Sequence, residues 1–271
     1  MTSALWSAPM EDAAPPEKSV SFGFETVTPA EQVDRVKGVF RSVSDRYDLM
    51  NDLMSAGIHR IWKHDTMARI NPQPGETLVD VAGGTGDMAK AFLERADKTA
   101  RRRGAGEGAR AIVCDINDAM LSAGRVRGDI GDVPGTLDWV CGDATALPFP
   151  DRSADVVTIA FGIRNVVDRP AALAEFRRVL KPAGRLAVLE FSQMTAPLLQ
   201  RAYDAYSFAV IPRLGGLITG DQDSYRYLVE SIRKFPDQDS FKAEVEAAGF
   251  RSVSVTNFSG GIAALHFGWA L

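Results

Sequence analysis

The stretch Thr77-Leu-Val-Asp-Val-Ala-Gly-Gly-Thr-Gly-Asp87 constrains this chain more than any other. Leu78, Val79, Val81 and Ala82 surround Asp80 in a short apolar run, a Gly-rich turn follows, and Met88 to Arg95 is rich in helix formers. That order predicts a buried strand, a tight turn and a helix start. Glycines let backbone approach a ligand closely, and a helix start offers unpaired N–H groups. A core that begins this way continues as alternating strands and helices around a parallel sheet.

Gly84-Thr-Gly86-Asp-Met-Ala89 matches the loose dinucleotide pattern, with Ala in the third small position. The acidic residues point elsewhere. Asp87 falls at the helix start and Asp80 inside the strand. A pyrophosphate there would meet carboxylates in a poorly solvated place, whereas a ligand with a cationic end would be favoured. S-adenosylmethionine carries an ammonium and a sulfonium on its methionine half and no phosphate. Asp is also a common helix cap, so Asp87 has a purely structural reading beside the functional one.

The 271 residues are 45% hydrophobic and 24% charged, which suits one large domain or a domain with an added cap. A net charge of −4 gives no bulk attraction to nucleic acid, and none is expected as a partner. Cys114 and Cys141 show neither Cys-x-x-Cys spacing nor a disulfide framework, which suits a reducing cytosol. The three histidines are scattered, so no metal is expected. No apolar run reaches the length of a membrane span, and no basic-then-apolar signal opens the chain.

Residues 1–20, rich in Ala, Pro, Ser and acids, read as a flexible tail. Residues 21–73 read as an N-terminal helical cap and 74–271 as a Rossmann-like core, together a single domain over 21–271. Phe22-Gly-Phe24 either anchors its segment or meets a ligand. Thr28 and Glu31 have capping-box spacing, with Pro29 at the first helical position. The core then predicts strands over 78–81, 110–115, 137–141, 155–160 and 185–190, with helices over about 87–100 and 169–180. Residues of about 195–240 read as helical, broken at Pro212 and Gly215-Gly216, and two final strands cover 250–257 and 261–269.

Parallel sheets bind ligands at the carboxyl ends of their strands. The Gly turn, Asp115, Asp143-Ala144 and Arg164 all fall at such ends and converge on one crevice. An acid in the position of Asp115 can accept both ribose hydroxyls of either NAD or S-adenosylmethionine. Asp143 is placed to accept from an adenine amino group. A terminal strand pair suits a methyltransferase sheet, whose last strand inserts antiparallel, and not the second half of a dinucleotide fold.

Longer motifs then carry a resemblance. Tyr47-Asp-Leu-Met-Asn-Asp-Leu-Met-Ser-Ala-Gly-Ile-His-Arg-Ile-Trp62 and Arg178-Val-Leu-Lys-Pro-Ala-Gly-Arg-Leu-Ala-Val-Leu-Glu-Phe-Ser192 resemble the two signatures of the ubiquinone/menaquinone biosynthesis C-methyltransferase family. Asp115-Ile-Asn117, Phe161-Gly-Ile-Arg-Asn165, Tyr225-Arg-Tyr-Leu-Val-Glu-Ser-Ile-Arg233 and Gly260-Gly-Ile-Ala-Ala-Leu-His266 agree, so the likeness covers about residues 22–269. It implies an α/β class I methyltransferase with a mostly parallel seven-stranded sheet and S-adenosyl-L-methionine as cofactor. Cofactor contacts are expected at Gly83, Gly84, Thr85, Gly86, Asp115, Asp143 and Ala144. The family often has Asn where Asp143 stands, Ser where Ala160 stands and Gly where Ala183 stands.

The implied reaction is C-methylation of the ring of a polyprenyl benzoquinol (2-methoxy-6-polyprenyl-1,4-benzoquinol type), of demethylmenaquinol, or of both. A ring carbon becomes nucleophilic when a neighbouring hydroxyl is deprotonated, so alignment, a base and oxyanion stabilisation are needed. Arg164, always protonated, is assigned the oxyanion and Tyr47 a proton relay; each also has a structural reading, a loop salt bridge and simple packing. Leu198, Leu199, Tyr203, Tyr206, Phe208, Val210, Ile211, Leu214, Leu217 and Ile218 form either a prenyl groove, a membrane-touching face or core and dimer packing. The expected setting is cytoplasmic, peripheral on the inner membrane face, and compatible with a quinone-biosynthesis enzyme complex and a homodimer.

Overall fold

Strands buried on both faces need apolar residues at successive positions, and the central segments of this chain have them. In the computed structural model, residues 19–42, 57–104, 106–127, 133–195 and 222–271 are described, with Asp52, Ser55 and Arg213 as isolated positions. Strands β3 (Thr77–Val81), β4 (Arg110–Asp115), β5 (Thr136–Cys141), β6 (Ala154–Ala160) and β7 (Leu180–Phe191) are mutually parallel neighbours. Strands β8 (Arg251–Phe258) and β9 (Ala263–Ala270) complete a seven-stranded sheet of order β5-β4-β3-β6-β7-β9-β8. Strand β9 is antiparallel to both β7 and β8, as the terminal strand pair predicted.

Side-chain alternation assigns the two faces. Val79, Val81, Ile112, Val157, Ile159 and Val188 face helices α5 (Arg169–Val179) and α7 (Gln238–Ala247), meeting Leu173, Phe176, Phe241 and Val245. Leu78, Ala111, Val113, Val156 and Ala187 face helices α2 (His59–Ile70) and α3 (Asp87–Arg103), meeting Met67, Ile70, Phe92 and Leu93. Helix α2 is therefore a layer of the core itself. Helix α6 (Gln222–Lys234) buries Tyr225, Leu228, Val229 and Ile232, at i, i+3, i+4 and i+7, against Trp62, Phe161 and Phe191 beyond the strand ends.

The N-terminal segment differs from a purely helical cap. Strands β1 (Val20–Phe22) and β2 (Glu25–Val27) form a hairpin turning at Gly23, whose φ is +57°. Helix α1 (Pro29–Ser42) follows. Its capping box is present: Glu31 N–H donates to Thr28 Oγ1 at 3.3 Å, and Thr28 N–H donates to Glu31 Oε2 at 2.9 Å. A short helix α4 (Asp118–Arg125) lies between β4 and β5, capped by Asn117.

Strand β7 begins five residues earlier than the sequence pattern indicated. Its pairing with β6 jumps from Ala154–Leu180 to Val156–Arg185, and the intervening bulge holds Ala183 at φ +61°. The expected tail lies almost wholly outside the described residues, as do the predicted helical stretch over 196–212 and 214–221 and all ten apolar residues singled out there.

Candidate active site

The crevice forms where β3 and β6, hydrogen-bonded neighbours, end side by side. Each strand leaves through a non-glycine residue in left-handed backbone, Ala82 at φ +48° and Phe161 at φ +59°. Such conformations persist only where surrounding contacts hold them, and they cluster at ligand sites. Above them lies a cavity of about 370 Å³. Gly84, Asp115, Ile116, Asn117, Asp143 and Ala144 line one part of it, Phe161, Gly162, Asn165 and Val166 another. Pro29, Ala30, Val33, Val36 and Lys37 line it from helix α1. The N-terminal helix is thus a wall of the site, which no local pattern announces.

Four of the seven expected cofactor residues, Gly84, Asp115, Asp143 and Ala144, line the cavity. Gly83, Thr85 and Gly86 build the turn behind it. A Cβ on Gly83 would sit 2.7 Å from Asp80 Oδ2 and 2.8 Å from the Asp80 carbonyl, so only glycine fits there. Gly84 and Gly86 have φ of +55° and +86°, and Gly86 opens helix α3. The Thr85 hydroxyl accepts from Arg127 Nη1 at 3.0 Å.

Asp115 is buried, and its two oxygens accept from Gly84 N–H at 3.0 Å and Asn117 N–H at 2.8 Å. Burial raises its pKa, and the backbone donors of Asn117, Gly84 and Ile116 oppose the rise. Each carboxylate oxygen keeps a lone pair for a ribose hydroxyl. Asp143 holds its own turn through Oδ1, which accepts from Thr145 N–H and Oγ1, each at 2.8 Å.

The two acids of the first strand–helix unit have different surroundings. Asp87 meets Lys63 Nζ at 2.8 Å and Arg127 Nη1 at 2.6 Å. Burial works to raise its pKa, but these two cations outweigh burial and hold it at about 2. Two cations are thus already paired with Asp87. Asp80 sits under the turn with Oδ1 accepting from Thr158 Oγ1 at 2.6 Å, and burial pushes its pKa up to about 7. Its Oδ2 is buried without a partner.

Arg164 is likewise placed differently. It stands after β6 as predicted, but its guanidinium is 1% exposed and paired with Glu190 Oε1 at 2.8 Å. Nη1 also donates to the Phe161 carbonyl at 2.5 Å and Nε to Ser231 Oγ at 3.3 Å. A buried carboxylate on the neighbouring strand captures the cation, so Arg164 braces the Phe161 turn from behind and does not reach the cavity. Of its two sequence readings, this geometry is the salt bridge. Tyr47 lies outside the described residues. His266 is buried on β9 with Nε2 on the Gln238 carbonyl at 2.9 Å, and burial lowers its pKa.

The residues fit S-adenosylmethionine. Ile116 and Ala144 give an apolar slot for adenine, Asp115 and Asp143 give acceptors for ribose and amino groups, and Asn117 Nδ2 is a buried donor without a partner. Asn117 and Asn165 line the cavity although only their motifs, not their roles, were legible; Asn117 is visible in sequence as a helix cap. Among the described residues no group of His, Cys, Asp and Glu could hold a metal ion.

A sheet with an inserted antiparallel last strand and a Gly turn facing an acid on the next strand define an S-adenosylmethionine-dependent methyltransferase of class I. Solved methyltransferases share the fold. One from Aquifex aeolicus has a TM-score of 0.53 at 14% identity, covering 77% of this chain and 89% of its own. One from Thermotoga maritima has 0.57 at 17% identity, covering 86% and 99%. The match in sequence is closer: the chain belongs to the ubiE/COQ5 methyltransferase family, whose model matches residues 27–270. The ubiquinone/menaquinone biosynthesis C-methyltransferase of Paracoccus denitrificans is 55% identical over 254 residues, 94% of this chain and 98% of that protein. Its counterpart in Caulobacter vibrioides is 53% identical over 253 residues, 93% and 98%.

Proposed function

We propose that this enzyme methylates a ring carbon of a polyprenyl benzoquinol, of a demethylmenaquinol, or of both, in ubiquinone and menaquinone biosynthesis. The observation that carries the reading is family membership over nearly the whole chain, joined to a cavity whose donors and acceptors suit the cofactor. When bound, S-adenosylmethionine supplies a methyl group on a positively charged sulfur. Asp115 holds the ribose, Asp143 and Ala144 the adenine, and the backbone of Gly83–Gly86 lies against the methionine end. Helix α1 excludes water through Pro29, Val33 and Val36. Tyr47 remains the proposed proton relay, and Arg164 supports the floor of the acceptor region through Phe161. Lys37 is the one cation among the described lining residues.

The acceptor is a membrane lipid, so the reading places the enzyme on the inner face of the membrane, within reach of other quinone-biosynthesis enzymes and compatible with a homodimer. No described helix is long and apolar enough to cross a membrane. Purified protein, methyl-labelled S-adenosylmethionine and reduced short-tail demethyl-benzoquinol or demethyl-naphthoquinol test it. Label on the ring carbon of either acceptor is expected. Absence of label together with absence of cofactor binding would overturn the reading.

A further inference from the structure

The cavity has two halves by topology. The Gly turn, Asp115 and Asp143 follow β3, β4 and β5, whereas Asn165 follows β6, at the end of a single turn of 3₁₀ helix over Ile163–Asn165. The first half holds the cofactor groups, which leaves the second to the acceptor. Asn165 lines that second half, and its Nδ2 is buried with no hydrogen-bond partner. Its Oδ1 accepts from the Tyr227 hydroxyl at 2.8 Å. An amide with its oxygen held on one side turns its NH2 to the other.

Tyr227 is well placed to hold that orientation. It lies on helix α6, is buried, and its ring stacks on Phe22 with centroids 4.1 Å apart and planes at 14°. Burial pushes the phenol up to about 12, so it stays a donor at any working pH. The charges that act on it, Arg164 and Glu190, are paired with each other.

We infer that Tyr227 is a positioning residue: by donating to Asn165 Oδ1 it keeps Asn165 Nδ2 turned toward the acceptor, where that N–H binds a ring oxygen as it becomes anionic. The inference rests on the function proposed above. An amide free to flip would present Oδ1 to the same oxygen, setting two acceptors against each other. A fixed donor aimed at developing charge is worth most where water is excluded.

Tyr227→Phe removes the hydroxyl and keeps the ring and its stack. With labelled S-adenosylmethionine and reduced demethyl-benzoquinol, kcat is expected to fall about tenfold while cofactor Kd by calorimetry stays unchanged. The limb of the kcat–pH profile that reports acceptor deprotonation is expected to move up by about one pH unit, because the anion has lost its donor. In an Asn165→Ala background the same change has no further effect. An unchanged kcat, an unmoved limb, or an equal loss in the Asn165→Ala background would each overturn the inference, as would a loss carried wholly by cofactor affinity. Should Asn165→Ala be too slow to measure, the limb of Tyr227→Phe alone decides. Failure of the wild type to label either quinol overturns the functional reading and this inference with it; an active wild type and an unaffected Tyr227→Phe overturn this inference alone.

Discussion

Gly162 and Ala82 face each other across the ends of β6 and β3 so closely that a Cβ on Gly162 would lie 2.7 Å from that of Ala82. Both line the cavity, and neither has a flexible side chain that could move aside. Gly162→Ala is expected to destabilise the fold by about 1–3 kcal/mol and to weaken cofactor binding. Urea denaturation and calorimetric titration read both effects. Wild-type stability and affinity together would mean that the strand ends part freely.

The Arg164–Glu190 pair predicts a stability effect that an oxyanion role alone would not produce. Arg164→Met strands a carboxylate that is 1% exposed, with an expected loss of about 3–5 kcal/mol. Replacing both residues by Met is expected to recover much of it, since no lone charge is left behind. Arg164→Met with an unchanged denaturation midpoint would contradict the bracing role.

Asp87 and Asp80 give opposite pH dependences in separate windows. The Asp87 pKa is held down at about 2, so its contribution of roughly 2 kcal/mol is present above pH 4 and lost as pH falls through 4 to 2. The Asp80 pKa is raised to about 7, so the unfolded chain releases this proton first and stability declines by roughly 4 kcal/mol as pH rises from 4 to 7. Asp80→Asn keeps the acceptor for Thr158 and is expected to remove that decline. Denaturation series at pH 4, 5.5 and 7 decide it: parallel curves for wild type and variant would show that Asp80 does not titrate there.

Ala183 stands in left-handed backbone at φ +61° within the β7 bulge. Glycine takes that conformation without strain, against which stands its larger unfolded entropy. Ala183→Gly is expected to gain about 0.5–1 kcal/mol net. A lower melting temperature would place the strain elsewhere.

What the sequence disclosed tracks how local each cause is. Strand β4 was legible to the residue because Arg110 to Asp115 alternates between two apolar faces, and the capping box because Thr28 and Glu31 sit three apart. The strands around Gly23 are three residues each, too short for any period. The fate of Arg164 depended on Glu190 lying on the adjoining strand, and that of Asp87 on Lys63 from helix α2 and Arg127 from just past helix α4. Charge at a strand end was visible; its counter-charge was not. Asp115 and Asp143 were recoverable because strand-end position alone places them.

The hairpin ahead of helix α1 fastens to a part of the chain that the ribosome delivers much later. Phe24 N–H donates to Glu230 Oε2 at 3.1 Å, across 206 positions, and Phe22 stacks on Tyr227. At cellular rates of translation roughly 10–40 s separate the two ends of that contact. The Gly turn and Asp115 are therefore complete well before the wall of helix α1 can be latched over them. A nascent chain halted before helix α6 carries the Gly turn and Asp115 but lacks the partners that fasten the hairpin ahead of helix α1, so the enclosure of the cavity waits on helix α6.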